Sequence, residues 1–246
     1  MRLFSKEITS GARAGQFVQI KAGDELSPLL MRPFSFFAID WEKKTFSILY
    51  QIKGRGTKKL SSYKKGDKIN ALGPLGNYFS YPKLIRNPVL IAGGVGIAPL
   101  ACFADDLLRC KKDVTILLGL KEKSIYNFLK EYFNFLKPGR FLTAIESEGH
   151  CGTVVDFFEN MSSKQKYDYA AACGPNAMLK HLQKIFDKNN IPASCSMEAH
   201  LACGIGACKG CVIKIREKGR GERPLALTYR RVCADGPIFN LREIIF

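Results

Sequence analysis

The chain has 246 residues, is 46% hydrophobic, and carries a formal net charge of +16 from 38 Lys plus Arg against 22 Asp plus Glu. That length accommodates more than one domain with real cores. The chain contains no apolar run of about 18 residues, so no membrane span is expected, and Met1–Glu7 lacks the apolar stretch of a secretion signal. A strong positive charge raises nucleic acid as a partner. Here the lysines are scattered as short doublets, Lys43-Lys44, Lys58-Lys59, Lys64-Lys65 and Lys111-Lys112, without an aromatic-interleaved stripe, so nucleic-acid binding has only the charge in its favour. The charge better suits bound anionic cofactors and an acidic partner. Nine cysteines, an odd number, fit a reducing cytoplasm better than a disulfide-bonded secreted protein.

To about residue 85 the pattern is β. Phe17–Ala22, Pro33–Ile39 and Thr45–Ile52 are short aromatic and β-branched runs between turn signals. Gly66-Asp67 introduces a further strand, Lys68–Leu72, ending at Gly73-Pro74, and Lys58–Tyr63 reads as a short helix. Strands at this spacing predict a small barrel. From about 87 to 190 strands alternate with helices: Val89–Ala92, a helix Pro99–Lys111, Val114–Leu118, a helix Ser124–Phe135, Phe141–Ile145, Asp168–Ala172, and a helix to about Asn189. Such alternation predicts a parallel sheet covered by helices. A third segment, from 191, ends in a β-like tail. The expected division is therefore a barrel domain at 1–86, an α/β nucleotide-binding domain at 87–190 and a small module at 191–246.

That last segment holds the most specific pattern. Cys203, Cys208 and Cys211 follow one another as C-x4-C-x2-C, and Cys233 follows after 21 residues. This is plant-type ligand spacing for a 2Fe-2S cluster. Gly204, Gly206 and Gly210 are expected where side chains would block a tight loop, leaving backbone N–H groups free to point at the sulfurs. Zinc sites, the competing reading, usually present two C-x2-C pairs. The other cysteines, Cys102, Cys110, Cys151, Cys173 and Cys195, are expected to stay reduced.

Weaker signals mark cofactor sites. Arg32-Pro33-Phe34-Ser35 begins a strand, Leu49-Tyr50-Gln51 ends one, and Gly54-Arg55-Gly56-Thr57 opens a helix. A glycine pair at a helix start suits an anion, and Arg32 would add a charge-assisted bond to a pyrophosphate. Gly93-Gly94-Val95-Gly96 joins a strand to a helix without completing a G-x-G-x-x-G fingerprint. Cys173-Gly174-Pro175 lies at the C-terminal end of a later strand, the edge where open sheets bind ligands. An ordinary turn or strand edge is the alternative for each. His150 and His200 read as surface residues.

In order, R-P-F-S, G-x-G-T, G-G-V-G-I-A-P-L, C-G-P-N-A-M-L and S-M-E-A-H-L-A-C-G-I-G-A-C-K-G-C together resemble the electron-transfer subunits of class 1B dihydroorotate dehydrogenases, with ferredoxin–NADP reductase-like proteins as wider relatives. The resemblance implies a flavin-binding Greek-key barrel with FAD on Arg32, Pro33, Phe34, Ser35, Leu49, Tyr50, Gln51, Gly56 and Thr57. It implies NAD on Gly93, Gly94, Gly96, Cys173, Gly174 and Pro175, with a 2Fe-2S cluster on Cys203, Cys208, Cys211 and Cys233. Electrons would pass from an FMN-containing catalytic subunit, within a heterotetramer, through cluster and FAD to NAD in pyrimidine biosynthesis. A flavin/2Fe-2S subunit of a hydrogenase, or of an NADH-dependent ferredoxin:NADP oxidoreductase, is the alternative. Two departures stand out: a long basic segment, Arg216–Arg231, and Ala144–His150 in place of a D-D-G-S stretch. Leu201 and Ile205, with Arg216, Arg220 and Arg223 around them, are expected to face the partner. The resemblance favours NAD over NADP; Lys121 and Lys123 follow a strand end, where they would instead suit a 2′-phosphate.

Overall fold

A computed structural model describes residues 1–23, 29–145, 152–217 and 226–246. The chain forms two compact units. One comprises Met1–Phe79, Met197–Phe239 and Glu243–Ile245; the other comprises Ser80–Ser196, Asn240–Arg242 and Phe246. The cysteine-rich segment is thus grouped with the N-terminal strands.

In the first unit, strands β1 (Arg2–Phe4), β2 (Phe17–Ile20), β3 (Arg32–Asp40), β4 (Thr45–Ile48) and β5 (Ala71–Leu75) form an antiparallel sheet in the order β1-β4-β3-β2-β5. Strands β2, β3 and β4 form a meander, and β5 returns beside β2, the Greek-key connection. The sheet curls around Val18, Ile20, Phe36, Phe46 and Ile48, all almost fully buried, with the Phe36 and Phe46 rings edge to face at 5.3 Å. The strand expected at Lys68–Leu72 instead runs from Ala71 through Gly73-Pro74 to Leu75. Pro74 is tolerated because β5 is an edge strand, where a missing N–H breaks no ladder. Helix α1 (Lys6–Gly11), absent from the sequence expectation, is capped by Ser5 Oγ, which accepts the Ile8 N–H at 3.2 Å. Helix α2 (Arg55–Ser61) begins three residues before the expected Lys58.

In the second unit, five strands run parallel: β6 (Pro88–Gly93), β7 (Thr115–Leu120), β8 (Phe141–Ile145), β9 (Tyr169–Cys173) and β10 (Ala193–Ser196). Their order is β10-β9-β6-β7-β8, so the first strand lies between the second and the fourth. This is the doubly wound pattern, and its switch point falls between β6 and β9. Both strands are almost wholly buried, which explains why they read as continuous apolar runs. The crossover helices are α3 (Ile97–Arg109), α4 (Tyr126–Tyr132), α5 (Val154–Ser162) and α6 (Asn176–Lys188). The helix expected over Ser124–Phe135 is a 3₁₀ turn, Lys123–Ile125, followed by the shorter α4. Helix α5 was not anticipated, although its start is legible: Thr153 and Asp156 exchange side-chain-to-backbone bonds across the first turn. Segment 146–151, which includes His150 and Cys151, lies outside the described residues.

The chain returns to the first unit as a hairpin, β11 (Val212–Glu217) and β12 (Ala226–Arg231), and passes back to the second within β13 (Ile238–Asn240). Among the described residues no helix is long and apolar enough to cross a membrane.

Burial raises the Asp105 carboxyl on α3 to a pKa of about 6, against the opposing effect of the Tyr132 hydroxyl, which donates to its Oδ2 at 3.2 Å. The folded state therefore binds the proton more tightly than the unfolded chain, and stability falls as pH rises between the two pKa values. Asp105→Asn should be more heat-stable than the parent at pH 8, by about 2–3 kcal/mol. The advantage should vanish as pH falls to about 4. Thermal scans across that range check this; a pH-independent difference would contradict it.

Candidate iron–sulfur and nucleotide sites

The four cysteines of the C-x4-C-x2-C…C pattern lie together in the first unit, arranged as two pairs. The Cys211 and Cys233 thiols touch, Sγ to Sγ at 3.3 Å, and both are buried. Cys203 is half-buried and Cys208 exposed; the Cys208 N–H donates to Cys203 Sγ at 3.4 Å, and the Cys208 thiol also bonds Cys203. Among the described residues no three His, Cys, Asp or Glu side chains converge as a single-ion site. Two thiol pairs, rather than one tight quartet, are what a two-iron core needs, because each iron takes two cysteines and two bridging sulfides. The donor set fits a 2Fe-2S group.

Backbone N–H groups supply the compensation that anionic sulfur requires. Gly206 N–H donates to Cys233 Sγ at 3.2 Å, and Cys233 N–H to Cys211 Sγ at 3.4 Å. The N–H groups of Cys208 and Ile205 favour the Cys203 thiolate and bring its pKa down to about 6. Cys233 moves the other way, to about 11, because burial and then the Cys211 thiol disfavour its charge. An iron would have to displace that proton, which couples loading to pH.

Two of the three loop glycines are required by their surroundings. Gly204 has φ +71°, and a Cβ there would lie 2.5 Å from Gln19 Nε2. Gly206 has φ +82°, and a Cβ would meet Ala234 Cβ at 2.8 Å and Arg231 Nη1 at 3.0 Å. At Gly210 the protein itself sets no such limit: a Cβ there would have Cys208 Sγ as its nearest neighbour at 3.7 Å, an ordinary contact. The left-handed turn there is made by Lys209, φ +55°.

Sequence reasoning missed the residues that hold this loop. Gln19, on β2 and 1% exposed, extends its Nε2 to Ala202 O at 3.5 Å, so the cluster loop rests on a barrel strand. Asn77, following β5, donates to Asp235 O at 3.0 Å and Ile238 O at 2.8 Å and accepts the Ile238 N–H at 2.8 Å, which fixes the turn after Cys233. A buried polar residue inside a β2 run of apolar neighbours was the available signal for Gln19.

Of the expected flavin residues, Arg32 to Ser35 begin β3, Leu49 to Gln51 follow the end of β4, and Gly56 and Thr57 lie in α2. Phe34 and Tyr50 place their rings 5.6 Å apart, tilted by 57°, and partial burial raises the Tyr50 hydroxyl pKa. Pro33, Ser35 and Leu49 are half-buried, and Gln51 is exposed. Arg32 donates from Nη1 to Leu30 O at 2.6 Å, leaving its other guanidinium nitrogens for an anion. Gly56 is buried in the first turn of α2, and Thr57 Oγ1 accepts the N–H groups of Lys53 and Gly54 at 3.0 and 3.1 Å, shaping the turn.

In the second unit, Gly93-Gly94-Val95-Gly96 and Cys173-Gly174-Pro175 face each other across the switch point. Three of these glycines serve packing: a Cβ on Gly93 would lie 2.8 Å from Pro175 Cδ, on Gly96 2.3 Å from Cys173 O, and on Gly174 2.5 Å from Met178 Cε. Gly94, with φ +57°, has open space where its Cβ would stand, as a cradle for a ligand requires. Cys173, Cys102 and Cys195 are buried, Cys110 is exposed, and none is in a disulfide. His200 is exposed.

Barrel and doubly wound sheet together are the architecture of ferredoxin–NADP reductase-like proteins. The chain is similar over 99% of its length to a solved chain described under flavin-based electron bifurcation by an NADH-dependent reduced ferredoxin-NADP oxidoreductase, with TM-score 0.82, 25% identity and 83% of that chain covered. A Plasmodium falciparum ferredoxin-NADP+ reductase shares the fold over 73% of this chain and 80% of its own, with TM-score 0.57 and 17% identity. Residues 198–245 match the model of the iron-sulfur cluster binding domain of dihydroorotate dehydrogenase B. Relatives named dihydroorotate dehydrogenase B (NAD(+)), electron transfer subunit, include one from Clostridium acetobutylicum, 36% identical over 95% of this chain and 86% of its own length. Another, from Desulforamulus reducens, is 30% identical over 100% and 92%. The chain belongs to this family of electron transfer subunits.

The loop geometry separates its glycines. Gly206→Ala should lose bound iron on gel filtration, since a left-handed Ala costs about 1–2 kcal/mol before its clash with Ala234 is counted. Gly210→Ala should retain iron like the parent. Equal losses in the two variants would contradict the assignment.

Proposed function

We propose that this chain is the electron-transfer subunit of an NAD-dependent dihydroorotate dehydrogenase, working with a separate FMN-containing catalytic subunit in a heterotetramer. The observation that carries the proposal is the two-by-two arrangement of thiols in a loop braced by a barrel strand. Cys203, Cys208, Cys211 and Cys233 would hold the cluster and supply its four thiolate ligands. Arg32 to Ser35, Leu49 to Gln51, Gly56 and Thr57 hold FAD; Gly93, Gly94, Gly96 and Cys173 to Pro175 hold NAD. When bound, the cluster carries single electrons and the flavin converts them to hydride chemistry with NAD.

The protein's part is positioning and exposure. The outer thiols lie at the surface, and the inner pair is buried. Ile205, between Cys203 and Cys208, is 59% exposed and marks the apolar centre of the partner face. Leu201, expected to be exposed beside it, is half-buried, so the apolar contribution passes to the hairpin. By register, Val212, Lys214 and Arg216 on β11 share one face with Leu227 and Tyr229 on β12. All five are exposed, a mixed apolar and cationic surface suited to an acidic partner. Arg220 and Arg223 lie outside the described residues.

The likeness to the ferredoxin-NADP oxidoreductase chain supports a second reading, in which the same machinery serves another partner. The higher identities to the dihydroorotate dehydrogenase subunits favour the first. Their difference is the partner. The purified chain should reduce dyes with NADH and show no turnover of dihydroorotate until the FMN subunit is added. Ile205→Asp should abolish that gain and leave dye reduction unchanged. Turnover by the chain alone, or normal assembly of Ile205→Asp, would contradict the proposed face.

The switch-point glycines give a second test. Gly94→Val should lose NADH-dependent dye reduction, because the branched side chain enters the space kept for the dinucleotide, and should cost some stability as well, because it strains a left-handed backbone. Gly96→Val should destabilise the unit itself. Turnover at parental KM by Gly94→Val would remove Gly94 from the site. Lys121 is exposed and Lys123 lies 5.7 Å from the Tyr126 ring centroid; NADPH turnover equal to NADH would place a 2′-phosphate beside them.

A further inference from the structure

Arg231, the last residue of β12, stands two positions before Cys233 and reaches back across the cluster loop. Asp235 grips its guanidinium at two points, Nε to Oδ2 at 3.0 Å and Nη2 to Oδ1 at 3.0 Å. The same Oδ2 accepts the Arg231 backbone N–H at 2.8 Å. With two nitrogens so held, Nη1 is aimed at the loop and donates to Gly206 O at 3.1 Å. Gly206 is the residue whose own N–H lies on Cys233 Sγ. Both backbone polar groups of Gly206 are therefore tied, one to Arg231 and one to sulfur.

The clamp is itself anchored. The turn from Arg231 to Gly236 closes on Arg231 O, which accepts the N–H of Asp235 at 2.8 Å and of Gly236 at 3.2 Å, and Asn77 holds Asp235 O from the barrel. Gly206 cannot be replaced by a residue that would hold its left-handed backbone through side-chain packing, because Ala234 and Arg231 fill that space. The Gly206 carbonyl belongs to the peptide that follows and its N–H to the peptide that precedes, so the guanidinium steadies the N–H through the backbone torsions of Gly206.

We propose that Arg231, clamped by Asp235, is a positioning residue that keeps the Gly206 N–H on the Cys233 sulfur and so raises the reduction potential of the cluster. The inference rests on the 2Fe-2S reading given above. Its physical basis is that an N–H···S bond draws charge from a thiolate and favours the more negative, reduced cluster. Releasing the Gly206 carbonyl frees the Gly206 torsions, lets the N–H leave the sulfur and lowers the potential. The carboxylate of Asp235 neutralises the guanidinium, so the pair acts through geometry more than through charge.

That distinction gives a test with opposite signs. The holoprotein and its variants are titrated anaerobically with dithionite while the reduced cluster is followed by electron paramagnetic resonance. If charge alone set the potential, Arg231→Gln would lower it, Asp235→Asn would raise it, and Arg231→Lys would leave it in place. The clamp predicts that all three lower it. Lys keeps the charge but cannot span Asp235 and Gly206 together, and Asp235→Asn frees the guanidinium to swing away. The expected shift leaves about tenfold less cluster reduced at a fixed poise, or about 59 mV for a one-electron couple. Arg230→Gln, which removes a neighbouring cation paired to Glu217, should leave the potential unmoved. If Arg231→Gln fails to retain iron, the Lys and Asn variants carry the same test. Opposite shifts for Arg231→Gln and Asp235→Asn, no shift in Arg231→Lys, or an equal fall in Arg230→Gln would overturn the proposal. A parent protein with iron absent would overturn the cluster reading with it.

Discussion

Four thiolates gathered in one loop repel one another, and a 2Fe-2S centre together with its four thiolates is net negative, so something must offset that charge. That constraint organises the first unit of this protein. Cys211 and Cys233 come within 3.3 Å of each other, from residues 22 positions apart in sequence, because the β11–β12 hairpin returns the chain to its starting point and Val232 N–H closes on Cys211 O at 2.9 Å. The offset comes from backbone dipoles: the N–H groups of Gly206, Cys208 and Cys233 all point at sulfur. A loop can present so many donors inward only where its turns lack side chains, which is why Gly204 and Gly206 stand in the left-handed region.

Such a loop has little core of its own. Nine residues from Cys203 to Cys211 include three glycines and an alanine, so its shape must be imposed from outside. The curled sheet provides this through Gln19 below the loop and Asn77 beside the turn that follows Cys233. The second unit answers a different constraint. A dinucleotide must approach backbone closely, and the switch point between β6 and β9 leaves that approach open at Gly94 while packing Gly93, Gly96 and Gly174 against their neighbours. One glycine-rich motif therefore combines an open cradle with close packing.

What the sequence revealed follows from how local each feature is. The cysteine spacing is a local property and named its chemistry directly. Buried parallel strands read as apolar runs, and Phe141–Ile145 was located to the residue. Elements set by tertiary context were misread. Strand β5 passes through Gly73-Pro74 because it is an edge, a fact that depends on the sheet order and not on the dipeptide. The short β1 and α1 have too few residues to show a period. The roles of Gln19 and Asn77 depend on partners 183 and 158 positions away, so the polar Gln19 in an apolar run was at most a local hint and Asn77 gave none. Within the protein, the steric need for glycine falls at Gly204 and Gly206.

The central claim is that this loop holds a two-iron cluster through two thiol pairs. Metal analysis of the protein purified without air, combined with electron paramagnetic resonance before and after reduction, tests it most directly. The account predicts about two irons and two acid-labile sulfides per chain, silent as isolated and giving one unpaired-electron signal when reduced. One zinc per chain, or a single iron without labile sulfide, would contradict it.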